Sequence, residues 1–267
     1  MAKPLAPPAR TLGAMTTNDP GQLFEAGADR AAYVREMFGA ISARYDLINR
    51  LMTLGQDLRW RRLAAQAVVH AGDTVVDAGS GTGDLAFACL EAGAARVIGL
   101  DVARPMLARA RSKSATQVTG VGAGFALGDA TRLPLADGSA DVWCSAFVVR
   151  NIPELDDALR EALRVLRPGG RLAVLEIPRM DAGWQRPFAR FHFTQVVPRL
   201  GRWVSGHASA FSYLPVSVDH FLTPRQFTAH LTGLGFEVTQ VRLLMFGTVA
   251  MHIARKPLPG EPRSRQR

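Results

Sequence analysis

Val75-Val76-Asp77-Ala78-Gly79-Ser80-Gly81-Thr82-Gly83 is a short β-branched strand running straight into a glycine-rich turn. An apolar helix follows, starting near Leu85. Glycine adopts positive φ without strain and carries no side chain, so the backbone can turn sharply and a ligand can lie against it. The helix opening just beyond presents unpaired N–H groups to whatever occupies the turn. This pattern predicts a small, nucleotide-like ligand, against the alternative that the glycines serve turn geometry only.

The spacing narrows the ligand. A dinucleotide fingerprint reads G-x-G-x-x-G, which opens a helix onto a pyrophosphate. Here the run is G-x-G-x-G, with the acid Asp77 two residues before the first glycine. A carboxylate there repels a pyrophosphate and welcomes a cation or an amino group. A second strand, Arg96 to Leu100, ends in Asp101, where an acid suits the two hydroxyls of a ribose. A third apolar stretch around Phe125 ends in Gly128-Asp129-Ala130, an acidic turn within reach of an adenine amino group. Acids at these ends and no basic residue in the loop point to S-adenosylmethionine.

At 267 residues, nearly half of them hydrophobic, the chain can bury a substantial core in one domain. Strand and helix patterns alternate from residue 60 onward, which predicts a parallel sheet covered on both faces. Residues 30–45 read as one amphipathic helix through Val34, Phe38, Ile41 and Tyr45. Further helices are expected around 60–69, 84–92 and 104–112. Strand Asp141–Phe147 leads to Arg150-Asn151, and helix Leu155–Leu166 is stopped by Arg167-Pro168-Gly169-Gly170. Strand Arg171–Glu176, a helix near Pro224–Leu234, and an antiparallel hairpin of Phe236–Val241 with Thr248–Ala254 complete the reading. In open parallel sheets, ligands sit beyond the carboxyl ends of the strands. Asp77, Asp101, Asp129, Arg150 and Glu176 all fall at such ends.

Segment 178–222 differs. Its aromatics, among them Trp184, Phe188 and Tyr213, interleave with arginines, and it is expected to cap the sheet's carboxyl edge above a large apolar substrate. Residues 1–28 read as a disordered leader, with Met15 an alternative start, and 257–267 as a basic tail. The net charge of +9 suits either plain solvation or attraction to anionic lipid or nucleic acid. No run approaches the roughly 20 apolar residues of a membrane span. Cys89 and Cys144 belong to no CxxC pair and read as reduced core residues of a cytoplasmic protein, and no metal site is expected.

With these residues laid out, the chain resembles the ubiquinone/menaquinone biosynthesis C-methyltransferases, a class I S-adenosylmethionine-dependent family. The motifs are Phe38 through Tyr45-Asp46-Leu47-Ile48-Asn49, Trp60-Arg61, Asp77–Gly83, Phe147-Val148-Val149-Arg150-Asn151, Arg164–Gly170, Tyr213–Ser217 and Phe246–His252. The resemblance implies an α/β, Rossmann-like fold: a mainly parallel seven-stranded sheet, helices on both faces, a terminal antiparallel hairpin, and a methyltransferase domain over 29–256. It implies that Thr82, Asp101, Asp129 and Ala130 contact the cofactor, while Gly79, Gly81 and Gly83 shape the turn. Arg150 and Asn151 match the family's substrate-side pair. Three positions depart from the family pattern, which often has serine at Ala146, glycine at Val148 and a small polar residue at Pro178.

The implied reaction moves a methyl group to a ring carbon of a reduced, prenylated quinone, demethylmenaquinol above all. Arg150 is the natural partner of a developing phenolate, although an ion pair with Glu176 is the alternative. Tyr45, Asn49, His192 and Tyr213 are candidates for the acceptor pocket. His192 is also a candidate base, and water held by Arg150 is another. Other lipid-like or aromatic acceptors stay open. A nicotinamide dehydrogenase is disfavoured by the glycine spacing, and a nucleic-acid methyltransferase by the lack of an Asn-Pro-Pro-aromatic segment. A pure binding module would have lost the cofactor acids. The reading leaves open a homodimer and work at a membrane surface helped by the basic tail.

Overall fold

The computed structural model describes residues 27–117, 122–180 and 208–261. Three helices come first: α1 (Gly27–Ile41), α2 (Tyr45–Thr53) and α3 (Gln56–Val68). The strands are β1 (Thr74–Ala78), β2 (Arg96–Asp101), β3 (Ala123–Leu127), β4 (Ala140–Ala146), β5 (Leu166–Glu176), β6 (Glu237–Leu244) and β7 (Val249–Arg255). Between them run α4 (Asp84–Glu91), α5 (Arg104–Gln117), α6 (Leu155–Val165), α7 (Ala208–Asp219) and α8 (Pro224–Leu234).

All seven strands join one sheet in the order β3-β2-β1-β4-β5-β7-β6. β1 to β5 are parallel, and the hairpin enters antiparallel, with β7 beside β5. The sheet is apolar on both faces because alternate residues serve opposite cores. Val75, Val142, Cys144 and Ala173 pack with Trp60, Ala64 and Leu85 of α3 and α4. Val76, Trp143, Leu172 and Val174 pack with Leu159 of α6 and Phe227 and Leu231 of α8. A third cluster joins Val34, Met37 and Ile41 of α1 to Ile48 of α2 and Tyr213, Leu214 and Val218 of α7. Through it, the described part of segment 178–222 rests on the N-terminal helices.

Two expectations need correction. Residues 30–45 are not one helix, because a 3-10 turn, Ser42–Arg44, interrupts it and Tyr45 opens α2. The apolar spacing runs on through the turn, so periodicity alone hides the break. Arg167–Gly170 does not separate α6 from β5 either. The strand begins at Leu166, and the main chains of Gly169 and Gly170 pair with Lys256. The register shift between Ala140 and Val142 marks where this stretch bulges. His192, the leader up to residue 26 and tail residues 262–267 lie outside the described residues.

Cys89 and Cys144 are buried free thiols, their Sγ atoms 3.9 Å apart. His252 is also buried, its Nε2 facing the Pro224 carbonyl at 3.1 Å and its ring edge-on to Phe227. Burial lowers its pKa against that carbonyl, which suits a packed residue rather than a base.

The turn after β1 is held by backbone geometry. Gly79 sits at φ +73°, and a Cβ there would overlap the Val148 side chain. Gly79→Ala is therefore expected to cost about 2–4 kcal/mol, from left-handed strain plus overpacking. Thermal unfolding of Gly79→Ala alone and with Val148→Ala checks this: the second change should recover the overlap and leave the strain.

Candidate active site

The glycine turn is tied to the end of β2. The N–H groups of Gly79 and Ser80 both donate to the Leu100 carbonyl, at 2.7 and 3.0 Å. Asp101 accepts from Gly81 N–H through Oδ2 and from Ala103 N–H through Oδ1, both at 2.8 Å. Burial raises the Asp101 pKa while those amides oppose the rise. Beside the turn lies a cleft of ≈ 870 Å³, open to solvent. Gly79, Gly81, Asp101, Ala130 and Asn151 line it, with Val34 and Phe38 of α1 closing over the top. Asp129 is on its exposed rim, where its Oδ1 accepts from the N–H and hydroxyl of Thr131.

Asp77 is the unusual group. It is 1% exposed, and neither carboxylate oxygen has a hydrogen-bond partner. Burial pushes its pKa up to about 7, with Asp101 and Asp84 reinforcing the rise. Arg61 opposes it, and so does the Ala86 amide, which is near enough to favour the charge yet short of hydrogen-bond geometry. Asn151 Oδ1 is likewise buried without a donor. The unmet needs beside the turn are thus largely for N–H or O–H donors and for positive charge. The amino, ammonium and hydroxyl groups of S-adenosylmethionine meet that need, and a pyrophosphate does not.

A second cavity, ≈ 680 Å³, lies on the other side of Phe147 and is mostly apolar. Met37, Ile41, Ile48, Met52, Ile177 and Leu214 form its walls, and Asn49, Tyr213 and Arg150 line it too. Arg150 is buried, and its Nη1 donates to Glu176 Oε1 at 2.5 Å and to the Phe147 carbonyl at 2.8 Å. Glu176 also accepts from the main-chain N–H groups of Arg150 and Ile177. Arg150 is therefore ion-paired with Glu176, and it also lines this cavity.

The model of the ubiE/COQ5 methyltransferase family matches residues 26–256. The chain belongs to that family. Among its relatives, a demethylmenaquinone methyltransferase of Thermus thermophilus is 44% identical over 223 residues, 83% of this chain and 100% of the relative. A ubiquinone/menaquinone biosynthesis C-methyltransferase UbiE of Rubrivivax gelatinosus is 37% identical, covering 88% of this chain and 91% of its own length. In three dimensions the chain is similar to the [4+2]-cyclase SpnF, with a TM-score of 0.64, 20% identity, and coverage of 84% of this chain and 95% of that one. It is also similar to an S-adenosylmethionine-dependent methyltransferase of Mesorhizobium loti, with a TM-score of 0.53, 20% identity, and coverage of 74% and 97%. These two likenesses show the fold. The protein is an S-adenosylmethionine-dependent methyltransferase.

In this methyltransferase α2 connects the parts. Tyr45 borders the cleft beside the glycine turn, the apolar cavity and a small pocket holding Asp77, Arg61 and Thr82. Burial raises the Tyr45 phenol pKa, although Arg61, Arg150 and an Asn49 hydrogen bond pull it down. The Thr82 hydroxyl does not face the cleft, because it donates to Asp46 Oδ1 at 2.6 Å. Asp46 Oδ2 pairs with Lys113 at 2.6 Å, and Lys113 reaches Asp84 at 2.7 Å. Arg50 adds a contact to Asp84 at 3.2 Å. Burial works to raise the Asp84 pKa, but Lys113, Arg61 and Arg50 outweigh it and the net shift is down.

Sequence reasoning assigned no role to Arg61, Asp46 or Lys113. Arg61 is 5% exposed, pairs with Asp57 at 2.7 Å and stacks over the Phe147 ring at 5.1 Å. Its signal was available: an acid four residues earlier, beside buried Trp60 and Ala64 on the same helix. Asp46 and Lys113 meet only through the fold.

The Asp77 shift has a testable sign. Its pKa is higher in the folded chain, so its ionisation destabilises folding. The penalty is absent below the unfolded value of 3.8, grows as pH rises to about 7, and is constant above. Asp77→Asn should therefore gain stability over the wild type across that window, on the order of 4 kcal/mol at pH 8. Urea unfolding of both proteins from pH 4 to pH 8 measures it, and a difference that does not grow with pH contradicts the assignment.

Proposed function

We propose that the protein moves a methyl group from S-adenosylmethionine to a ring carbon of a reduced, prenylated quinone, converting demethylmenaquinol to menaquinol. The carrying observation is the meeting of the cofactor cleft and the apolar cavity at Phe38, Tyr45 and Phe147, with Arg150 in the cavity wall. A flat ring with a hydrocarbon tail suits the cavity, and one buried guanidinium suits one ring oxygen. The relatives named for demethylmenaquinone and for ubiquinone/menaquinone biosynthesis support the same acceptor class.

S-adenosylmethionine supplies an electrophilic methyl group on a positively charged sulfur. Asp77 would hold its ammonium group, Asp101 its ribose hydroxyls, and Asp129 with Ala130 the adenine edge. Gly79 and Gly81 border its cleft, Gly83 leaves room for the Phe87 and Phe125 rings, and Thr82 contributes through its main chain, because Asp46 takes its hydroxyl. The acceptor ring becomes a strong carbon nucleophile when a phenolic oxygen loses its proton to water. Arg150 stabilises the resulting phenolate, while Glu176 and the Phe147 carbonyl fix the guanidinium in place. Tyr45, kept protonated by burial, donates a hydrogen bond at the junction, and Asn49 orients its phenol. Asn151 borders the donor side of the same junction. As the new carbon–carbon bond forms, loss of the ring hydrogen as a proton restores the aromatic ring. Most of the catalysis is alignment.

Such a substrate resides in a bilayer, so this reading places the enzyme at a membrane surface. No helix among the described residues is long and apolar enough to cross one.

Incubation with S-adenosylmethionine and reduced demethylmenaquinone should give, by mass spectrometry, a product heavier by one CH2 unit. A gain only on a benzoquinol or on an unrelated lipid overturns the acceptor assignment. Removing Arg150 outright would strand the Glu176 charge and cost about 3–5 kcal/mol of stability, which obscures the chemistry. Arg150→Lys keeps the charge and loses the fork. It should lower kcat about 100-fold while leaving the dissociation constant for S-adenosylmethionine within about twofold, as read by calorimetry.

A further inference from the structure

Helix α2 has three faces, and two of them turn toward the rest of the protein. Tyr45, Ile48, Asn49 and Met52 line the acceptor cavity. Asp46, Arg50 and Thr53 make polar contacts to the glycine turn, α4 and α3. The third face holds Leu47, Leu51 and Leu54, at the i, i+4, i+7 spacing of one helical stripe. These leucines are 52%, 40% and 85% exposed. Leu54 closes the helix in a left-handed conformation, φ 52°, which leaves its side chain in solvent.

Charge is sorted in the same way. Between residues 42 and 62 the acids are Asp46 and Asp57. Asp46 is engaged by Thr82 and Lys113, and Asp57 is 1% exposed and paired with Arg61. Arg44 and Arg59 are exposed in the same stretch. The outer surface of this segment is therefore apolar and cationic. Two exposed leucines on a nine-residue helix and a third at its C-cap are more than solubility needs. An exposed apolar stripe, in a segment whose exposed charged side chains are all basic, complements a layer of hydrocarbon beneath anionic headgroups.

We propose that the outer face of α2, Leu47, Leu51 and Leu54 with Arg44 and Arg59, docks the enzyme on an anionic phospholipid surface. This rests on the proposed prenylated acceptor. The width of one helix then separates the bilayer from the cavity, because Ile48 and Met52 lie on that wall while Leu47 and Leu51 are exposed on another face. An acceptor leaving the bilayer passes along α2 rather than through bulk water, and its tail can stay in the lipid.

The test uses the full chain and the variant Leu47→Ser/Leu51→Ser/Leu54→Ser, which leaves every cavity-lining residue in place. Flotation is measured with phosphatidylglycerol/phosphatidylcholine vesicles and with phosphatidylcholine alone. Methyl transfer is assayed on demethylmenaquinol in the mixed vesicles and on a short-tailed, water-soluble analogue. The wild type should float with the anionic vesicles, and the variant's partitioning should fall about tenfold or more. Its KM for the vesicle-borne acceptor should rise to a similar extent, while kcat and KM on the soluble analogue stay within about twofold. Unchanged flotation of the variant, or a wild type that ignores anionic vesicles, overturns the docking face. So does a wild-type dimer that the variant dissolves, since the stripe would then cover a second copy. A wild type that floats but methylates neither acceptor refutes the acceptor reading and leaves the docking face standing.

Discussion

A carboxylate taken out of water must find a counter-charge, a donor or a proton, and among the described residues Asp77 has no hydrogen-bond donor. The parallel ladder fixes it there. Asp77 registers with Gly99 of β2 and Cys144 of β4, so it lies one residue before the end of β1 with a neighbouring strand on each side. The cations around it are already engaged: Arg61 faces Asp57, and Lys113 and Arg50 face Asp46 and Asp84. One acid is left near the carboxyl end of β1, with its pKa pushed up to about 7 by burial. The same burial destabilises the empty protein at neutral pH, and the ligand that supplies positive charge relieves it.

The second dependence runs through α2. Nine residues are too few for a helix to be stable alone, so its position is set by tertiary contacts. The Asp46, Lys113, Asp84 and Arg50 network joins α2 to α4, α5 and the glycine turn, and Ile48 joins it to α1 and α7. A partly buried network of four charges shares its desolvation over several short hydrogen bonds, unlike an isolated surface pair. The consequence is mechanical. The glycine turn and the α2 wall of the apolar cavity are tied by the Thr82 hydroxyl and, at the first residue of α4, by the Asp84 ion pairs.

Much of this was legible in the chain. The strand, the three alternating glycines and Asp101 one strand later were read together, and Gly79, Gly81 and Asp101 do line one cleft, because a tight turn is written in contiguous residues. Arg150, Asn151 and Glu176 were placed for a similar reason, since strand ends in a parallel sheet converge whatever lies between them. Less legible was anything resting on a pair of distant side chains. Asp46 reads as an ordinary polar helix residue until Thr82, 36 positions later, and Lys113 arrive beside it. The break at Ser42–Arg44 escaped because a 3-10 turn keeps the next apolar residue on nearly the same side. Gly169 and Gly170 read as a stop, yet edge pairing with Lys256 turned them into bulged strand.

Phe147 shows how these constraints meet. It has φ +63°, a conformation that costs a non-glycine residue on the order of 1 kcal/mol, and it is buried at the end of β4. The surroundings leave it no alternative. Its N–H is held by the Leu175 carbonyl at 2.7 Å, its own carbonyl takes a donor from Arg150, and its ring lies under Arg61. An extended Phe147 would continue β4 and carry Arg150 and Asn151 away from the cavities they border. The left-handed kink instead lets one short segment wall both cavities, with the ring between them and the two polar residues on a single 3-10 turn. Methyl transfer needs the donor carbon and the acceptor carbon on one line, and errors of an ångström are costly. A strained, over-determined residue at the boundary is a direct way to hold that line, because the contacts that enforce the strain also remove the freedom to drift.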